Sequence, residues 1–457
     1  MAKKKKIVET LIIDNMFPNK SVADYEGKTV IFKGGIKGQR VKVLLGRKKK
    51  DYIEGKLLEV LERSPLEKNL SCDYEDECGG CTYQTLLYED ELELKKELVL
   101  DLFRKENIEG FDFLGIERSP NVEGYRNKME YTFGDSEKGG SLVLGLNKRG
   151  RFYEVVDSDA CNIADEDFTA IRKKTMEYFR EQNIPYYNKR SHEGVLRHLV
   201  VRKALSTGEI LINLVTTSQG TIDTDGFVEE LLALRGLKGR ITGILHTIND
   251  GLGDIVKADK LSLLYGRDYI TEEILGLKFK ISPFSFFQTN TFGAERLYSI
   301  AREFAGDIAD KVVFDLYSGT GTIAQIMATV AKKVVAIEIV EEAVVKAREN
   351  AELNGLNNIE FIAGDVLKEV DNLKEKPDVV IIDPPRDGIH PKAINKIIDF
   401  NPDTFVYVSC NPVTLVRDLK VFMERRYKAE KVKLMDMFPR TPHVECVVLM
   451  SRVNVLI

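Results

Sequence analysis

The sequence contains no apolar run that approaches the roughly 18 residues needed for a membrane-spanning helix. The lysine-rich residues 3–6 precede an apolar stretch, but acidic residues interrupt it before it could form the core of a signal peptide. Cysteine is also sparse, with six among 457 residues. We therefore expect a cytoplasmic protein without a membrane partner, in which cysteines serve a metal or catalysis more often than disulfides.

The composition indicates a folded protein of more than one domain. A chain of 457 residues with 43% hydrophobic residues has material for two or three cores. The net charge of −5 conceals an asymmetry, because residues 1–56 carry 15 Lys and Arg against 6 Asp and Glu, which leaves −14 for the rest. A basic module on an acidic body suits a phosphate-backbone ligand, although a lysine-rich solvated surface would give the same count.

The basic module shows the pattern of a small β-barrel. Short strands are predicted over residues 29–32, 39–45 and 51–60, separated by glycine and lysine turns, and the module ends near Pro65. Lys33 and Lys37, with neighbouring glycines, form a basic loop. In its compactness and charge this module resembles the TRAM domain, an RNA-binding barrel attached to RNA-modifying enzymes.

Three cysteines follow closely on one another, at Cys72, Cys78 and Cys81. Two glycines before the third allow the backbone to fold tightly around a centre, so the pattern predicts a metal site, with Cys161 the nearest candidate for a fourth ligand. The spacing leaves structural zinc nearly as plausible as an iron–sulfur cluster. A radical S-adenosylmethionine enzyme fits poorly, because its usual cysteine spacing differs and no repeated βα pattern follows.

The middle of the chain predicts one helix and a sheet. Residues 88–107 show the apolar spacing of an amphipathic helix. From about residue 122 to residue 270, short β-like runs alternate with turns, which predicts a central antiparallel sheet. Basic residues occur in it, for example Arg126, Lys128 and Arg202, but each taken singly is more typical of a surface ion pair than of an RNA contact.

The carboxyl-terminal part alternates strand and helix, as a doubly wound parallel sheet does. A strand over residues 312–315 leads into a loop with Gly319 and Gly321, whose missing side chains let a ligand approach the backbone and the start of the next helix. The next strand ends at Glu338, where an acid can hold ribose hydroxyls, and Asp365 closes a third. The combination predicts a nucleotide-type cofactor site.

Further strand ends carry residues suited to catalysis. Asp383 stands at the edge where doubly wound sheets bind ligands, and it precedes Pro-Pro-Arg386, whereas enzymes that methylate exocyclic amines usually have an aromatic residue in place of the arginine. Cys410 ends the next strand, where a thiol can act as a nucleophile or simply be a core cysteine. Glu445 opens an apolar strand, a costly place for an unused carboxylate, and Cys446, facing the other way, is expected in the core.

Together these motifs resemble the RNA uracil-5 methyltransferase family over essentially the whole chain. The resemblance is to the bacterial branch that acts on 23S ribosomal RNA, whose members join a TRAM domain to a four-cysteine [4Fe–4S] site. It implies a Rossmann-like, S-adenosylmethionine-dependent catalytic domain. It also assigns residues to the cofactor and uracil pocket, with Thr322 at a position that can be asparagine in relatives: Gln288, Tyr317, Thr322, Glu338, Asp365 and Asp383.

The resemblance implies a covalent mechanism. The Cys410 thiolate would add to carbon 6 of uracil, and the resulting enolate would attack the sulfonium methyl group. Glu445 would then remove the carbon 5 proton, and elimination would free Cys410. The target base must leave its stack, which assigns the barrel and the central domain to holding RNA. No catalytic metal is required, so the cluster is expected to be structural or to position RNA.

The expected organisation has three parts. Residues 1–63 form the RNA-binding barrel, residues 64–87 with 122–270 form the iron–sulfur and central RNA-binding domain, and residues 88–121 with 271–457 form the catalytic domain. The protein is expected to be a monomer with 23S ribosomal RNA as its partner. The alternatives are methylation of uracil in transfer RNA, cytosine-5 methylation, which usually shows a different cysteine context, and an RNA-binding protein that has lost catalysis.

Overall fold

The structure, a computed structural model, describes residues 6–68, 72–253 and 258–453. A closed barrel, a seven-stranded sheet, a two-stranded sheet and an eight-stranded sheet carry the fold. Within the described ranges, no helix combines the length and the apolar character that crossing a membrane would need.

The barrel consists of five strands in the order β1-β2-β3-β5-β4. Their bounds are β1 Ile7–Met16, β2 Lys20–Tyr25, β3 Lys28–Lys33, β4 Arg40–Lys48 and β5 Ile53–Glu62. The predictions for β3, β4 and β5 are confirmed within a few residues, but β1 and β2 were missed. In β1 both faces are apolar, since Val8 and Ile12 are buried while Ile7 and Leu11 are exposed. The alternation that marks a half-buried strand is therefore hidden.

The barrel is attached to the body through apolar side chains at its turns. Phe17, between β1 and β2, is buried in the large cluster that lies under the carboxyl-terminal sheet. Ile36, between β3 and β4, packs with Tyr83 and Leu86. The barrel is thereby fixed against the cysteine-bearing segment and the carboxyl-terminal layers, rather than connected by its linker alone.

Two elements that precede the central sheet belong to the carboxyl-terminal layers. Helix α1 spans Tyr88–Lys105 and strand β6 spans Asp112–Glu117, and β6 pairs with a late strand of the eight-stranded sheet. A buried ion group holds α1, because Lys95 Nζ lies 2.7 Å from both Glu91 Oε1 and Asp436 Oδ1. Removing one of these charges would leave another buried without a partner, a change that typically costs several kcal/mol.

The central sheet has the order β13-β12-β11-β10-β7-β8-β9. Its elements are β7 Lys128–Gly134, β8 Val143–Lys148, β9 Arg151–Val156, α2 Glu166–Glu181, β10 Leu196–Lys203, β11 Glu209–Thr216, α3 Thr224–Leu232, β12 Arg240–Ile248 and β13 Lys260–Gly266. The expectation of a wholly antiparallel sheet is wrong at β11 and β12, which pair in parallel. The reason is α3, which the sequence analysis did not predict and which provides the crossover that parallel neighbours require.

The carboxyl-terminal sheet has the order β18-β17-β16-β19-β20-β22-β21-β6. A hairpin of β14 Ile270–Ile274 and β15 Leu277–Ile281 and helix α4 Thr291–Ala305 lead into it. The remaining elements are β16 Val312–Leu316, α5 Thr322–Ala328, β17 Lys333–Glu338, α6 Glu341–Leu353, β18 Ile359–Ala363, α7 Val366–Glu369, β19 Val379–Ile382, α8 Pro391–Asp399, β20 Thr404–Ser409, α9 Pro412–Glu424, β21 Tyr427–Met435 and β22 Glu445–Arg452.

Strands β16 to β20 are mutually parallel and are covered on both faces, which confirms the α/β fold class with a separate amino-terminal barrel. Alternate residues of β16 enter different cores: Val313 packs with α4, and Phe314 packs with α8 and α9. Such two-sided burial explains why these strands read as nearly continuous apolar runs.

Candidate active site

The strand order brings the sequence-predicted site residues to one edge of the sheet. Parallel strands end at the same edge, and β22 begins there because it runs antiparallel to β20. Reading across the sheet from β18 to β22, the edge carries Asp365, Glu338, Tyr317, Asp383, Cys410 and Glu445. Of the predicted residues, Thr322 starts the helix behind this edge, and Gln288 lies in the loop before α4.

The loop after β16 is shaped by left-handed backbone conformations. Tyr317, Gly319 and Gly321 have φ angles of 69°, 55° and 73°. At Gly321 an added Cβ would lie 2.7 Å from the Phe361 ring and 3.0 Å from Ala347. Glycine is therefore required there both by the positive φ angle and by the lack of space for a side chain. The turn directs the chain into α5, which begins at Thr322. The amide groups at the start of a helix favour a negatively charged or polar ligand.

Glu338 holds this loop in place. Its Oε2 accepts a hydrogen bond from the Gly319 amide at 2.9 Å, and its Oε1 accepts one from the Val340 amide at 2.9 Å. Each carboxylate oxygen retains a further lone pair. Glu338 can therefore hold the loop and still accept hydrogen bonds from a ligand hydroxyl.

Asp365 and Thr322 are likewise placed at helix starts. Asp365 is the N-cap of α7, where its Oδ1 accepts a hydrogen bond from the Leu367 amide at 3.0 Å. Thr322 is the first residue of α5 and is buried, with 7% of its surface exposed. The burial leaves little of Thr322 for a ligand, whereas Asp365 is only half-buried.

Gln288 lies in a loop that the central sheet supports. The Gln288 carbonyl accepts a hydrogen bond from Asn127 Nδ2 at 3.2 Å, and the Asn127 amide donates to the Thr289 carbonyl at 2.9 Å. The backbone carbonyl of Ser285 accepts from Arg202, which is buried. The expectation that Arg202 is a surface residue is therefore wrong, since this arginine braces the loop that carries Gln288.

Cys410 and Glu445 lie opposite each other on neighbouring strands. The antiparallel register pairs Ser409, the last residue of β20, with Cys446, and continuing it by one residue sets Cys410 opposite Glu445. Directly opposed residues on such strands have Cβ atoms about 5 Å apart and point to the same face. That face is the one covered by α4, whereas Cys446 points to the other face and is fully buried, as predicted.

The backbone around Cys410 is fixed by the following helix. Asn411 is the N-cap of α9, its Oδ1 accepting from the Val413 amide at 3.2 Å. Its Nδ2 donates to the Arg386 carbonyl at 2.8 Å, which ties the Cys410 turn to the Asp-Pro-Pro-Arg loop. The thiol is thus held between two strand ends and remains partly accessible to solvent.

The carboxyl groups at this edge have strongly raised pKa values. Burial raises the pKa of Asp383 to about 7, and burial together with the charge of Asp383 raises the pKa of Glu445 to about 8. Burial, then the charges of Glu445 and Asp383, raise the pKa of the Cys410 thiol to about 11, while Arg386 lowers it. Near neutral pH, Glu445 exchanges a proton readily, as a general base or acid must.

Asp315 is a member of the site that the sequence analysis did not single out as functional. It is fully buried on the α4 face of β16, and neither of its oxygens has a partner of normal hydrogen-bond geometry among the described residues. Burial and the charge of Asp383 raise its pKa to about 8, partly offset by the Ala324 amide. The sequence feature that could have identified Asp315 as a site residue is its position near the end of a strand, just before the glycine loop.

The four predicted metal ligands occupy a common region. The charges of Cys161, Cys78 and Cys72 all act on Cys81, whose pKa burial raises to about 12. Arg149 braces the loop by donating to the Cys78 carbonyl at 3.2 Å and the Cys81 carbonyl at 2.9 Å. In the described ranges, however, no group of three or more His, Cys, Asp or Glu side chains is arranged to hold a metal ion, so the metal site is not confirmed.

Comparison with known proteins agrees with this geometry. The model of the tRNA (uracil-5-)-methyltransferase family matches residues 244–453, which include every strand end described above. An uncharacterized RNA methyltransferase of Clostridium tetani is 54% identical over 99% of both chains. The chain belongs to the S-adenosylmethionine-dependent RNA uracil-5 methyltransferase family. A second uncharacterized RNA methyltransferase, from Caldanaerobacter subterraneus, is 54% identical over 98% of this chain and 99% of its own.

A solved structure extends the similarity to the whole fold of this uracil-5 methyltransferase. The tRNA (uracil-54, C5)-methyltransferase of Pyrococcus abyssi, solved with S-adenosyl-L-homocysteine, is 26% identical. It superposes with a TM-score of 0.75 over 96% of this chain and 99% of its own. The Pyrococcus enzyme therefore shares the amino-terminal and central parts as well as the carboxyl-terminal sheet.

Proposed function

We propose that this enzyme methylates carbon 5 of a uridine in 23S ribosomal RNA, forming 5-methyluridine through a covalent bond between Cys410 and uracil carbon 6. The observation that carries the proposal is the opposition of Cys410 and Glu445 across β20 and β22 at the cofactor edge. A nucleophile and a carboxylate base on one face, about 5 Å apart, suit attack on one ring carbon and proton removal from its neighbour.

The edge residues fit S-adenosylmethionine, which when bound supplies an electrophilic methyl group. Glu338 and Asp365 offer carboxylate oxygens with unused lone pairs to hydroxyl and amine groups of the cofactor. The exposed side chain of Ile339, next to Glu338, offers an apolar surface to a base. Gln288, Tyr317 and Asp383 complete the proposed cofactor and uracil pocket, and Thr322, which is buried, would contribute mainly through the backbone at the start of α5.

The charges of the site determine the order of proton transfers. The Cys410 thiol is protonated at rest, since its pKa is about 11. It must lose this proton as it adds to the ring, and Asp383, whose pKa is about 7, is the nearby acceptor that leaves the Glu445 carboxylate free for the later step. After methyl transfer, Glu445 takes the proton from carbon 5, and the Cys410–carbon 6 bond breaks.

The choice of ribosomal over transfer RNA rests on the resemblance of the motifs to the bacterial 23S branch. The barrel does not separate the two substrates, because the Pyrococcus tRNA enzyme aligns with 96% of this chain. That whole-length similarity supports methylation of transfer RNA as the second candidate.

We expect the purified enzyme to transfer labelled methyl groups to 23S ribosomal RNA that lacks 5-methyluridine, and to leave unmodified transfer RNA unlabelled. Specific recognition of a flipped base depends on the surrounding RNA shape, so the two substrates should differ by orders of magnitude in kcat/KM. Nuclease mapping of the labelled product identifies the uridine or uridines. Preferential labelling of transfer RNA would establish the second candidate.

We also propose that Cys72, Cys78, Cys81 and Cys161 hold a [4Fe–4S] cluster. The proximity of the four cysteines and the bracing of their loop by Arg149 support this assignment. Four thiolates are the usual ligand set of such a cluster, which would link the segment after the barrel to the central sheet. It has no part in the methyl transfer described above.

Anaerobically purified protein is expected to be brown and to contain about four iron and four sulfide ions per chain, as a cubane cluster requires. Iron and acid-labile sulfide assays with the absorption spectrum measure this. Cys161→Ser should lower the iron content, whereas Cys446→Ser, a buried core position, should retain it. One zinc ion per chain in colourless, active protein would contradict the cluster.

The division into barrel, central domain and catalytic domain is part of the same proposal. Residues 1–63, a TRAM-like barrel, and residues 64–87 with 122–270 would hold RNA. Residues 88–121 with 271–457 would form the catalytic domain of a monomeric enzyme. The pairing of β6 with β21 and the burial of α1 support the assignment of 88–121 to the catalytic part.

A further inference from the structure

A second cleft opens in the central sheet, away from the cofactor edge. It is a cavity of about 130 Å³ between the ends of β7 and β9 and residues 186–190. Aromatic and basic side chains dominate its lining: Phe133, Tyr153, Tyr186, Tyr187, Lys189 and Arg190. This combination is typical of sites that bind an unstacked nucleic-acid base, because bases stack on aromatic rings and on guanidinium planes.

Tyr153 and Arg190 already form the kind of stack that such a base would extend. The Tyr153 side chain stands 49% exposed on β9, and the Arg190 guanidinium carbon lies 4.3 Å from the centre of its ring. A large aromatic side chain exposed on an edge strand is unfavourable in water. Both groups present flat, accessible surfaces, on which a base gains stacking and cation–π energy.

The charge of the cleft also favours RNA. Both carboxylates that line the cleft already have partners within the protein. Asp135 accepts a hydrogen bond from the Tyr186 hydroxyl at 2.9 Å, and Glu154 forms a salt bridge with Arg151 at 3.0 Å. In the part of the chain that the structure describes, Lys138 and Arg190 form no ion pair. Their charge is available to a phosphate group next to the stacked base.

Strand β7 connects this cleft to the catalytic edge. Asn127, just before β7, is hydrogen-bonded to the carbonyls of Gln288 and Thr289, and the far end of β7 lines the cleft with Phe133 and Gly134. At roughly 3.3 Å per residue, these two points lie about 20 Å apart along the strand. An RNA chain with its target uridine at Cys410 spans such a distance with a few nucleotides.

We propose that the cleft around Tyr153 and Arg190 binds one unstacked base of the RNA substrate, a few nucleotides from the target uridine. The base stacks on the Tyr153–Arg190 pair, and Lys138 contacts its phosphate. This inference rests on the proposed RNA methylation, since it assigns a further subsite to the same substrate.

The test is a titration of wild-type and variant full-length enzyme with a fluorescently labelled RNA hairpin that contains the mapped methylation site. Tyr153→Ala should raise the Kd by about 5- to 150-fold, the range found when one stacked base is lost, without changing its salt dependence. Tyr153→Phe should bind as the wild type does. Lys138→Gln, which removes the phosphate contact, should weaken binding and reduce the slope of log Kd against log salt by about one.

Tyr265→Ala provides the matched control. This tyrosine lies on β13, at the opposite edge of the same sheet, and is 40% exposed. Its loss should leave the Kd unchanged. A Tyr153→Ala protein that binds the hairpin with wild-type affinity would overturn the cleft proposal. Methyl transfer by the wild type to the same hairpin is measured separately. If the wild type transfers no methyl group, the proposed function is wrong, and this result is independent of how tightly the variants bind.

Discussion

Replacement of Cys410 by alanine is expected to abolish methylation and to prevent any covalent link between protein and RNA. No other thiol lies on the α4 face of the described part of the sheet, since Cys446 points into the opposite core. Loss of a nucleophile in a covalent mechanism can cost on the order of 10⁶-fold in rate. Methyl transfer from labelled cofactor and electrophoresis under denaturing conditions measure the two effects.

Cys446→Ala is the matched control for this substitution. It removes a thiol one residue from Glu445, but that thiol is fully buried on the other side of β22. The variant should lose stability, by about 1–2 kcal/mol for a small core cavity, and should still methylate RNA. A Cys410→Ala enzyme that methylates at a measurable rate would disprove the covalent mechanism.

The sheet edge that carries the candidate site was predictable because a single rule of α/β folds creates it. Each parallel strand could be recognised as an apolar run, and the polar residue after each run had to lie at the carboxyl edge. Glu338, Asp383 and Cys410 were located in this way. Glu445 was identified because burying a carboxylate at the start of an apolar strand is energetically unfavourable. Its raised pKa reflects the same desolvation.

Other features depend on contacts between distant segments, and no local pattern reports them. Strand β1 was missed because its exposed side chains include the apolar residues Ile7 and Leu11, so the sequence does not show the usual alternation of polar and apolar residues. Arg202 looked like a surface cation, but it is buried against the loop that carries Gln288. The ion group of Lys95 and Asp436 joins residues 341 positions apart, so its members look like ordinary surface charges in the sequence.

The raised pKa values of the site have one common origin. Asp315, Asp383 and Glu445 lie on the same covered face of three strands, and burial is the largest influence on each. Close carboxylates cannot all ionise in such surroundings without a large cost. In the proposed mechanism, this arrangement keeps protons in the resting site and lets them move between Cys410, the base and the carboxylates.

Glu445→Gln is expected to form the covalent RNA adduct, to transfer the methyl group and then to stall. The amide has no basic oxygen for the carbon 5 proton, so turnover should fall by about 10²- to 10⁴-fold, the usual contribution of a general base. Adduct formation should survive, because the substitution leaves the Cys410 thiol and the neighbouring Asp383 carboxylate in place. The protein–RNA band should resist denaturation and carry label from the methyl group.

Glu430→Gln is the control for this last substitution, since Glu430 lies on the adjacent strand β21, paired with Lys428 at 2.9 Å and remote from the site. It should turn over normally and accumulate no adduct. The double variant Cys410→Ala with Glu445→Gln should lose the stable band, because the link is made by the thiol. Wild-type turnover by Glu445→Gln would instead assign proton removal to another group, of which Asp383 is the candidate with a pKa of about 7.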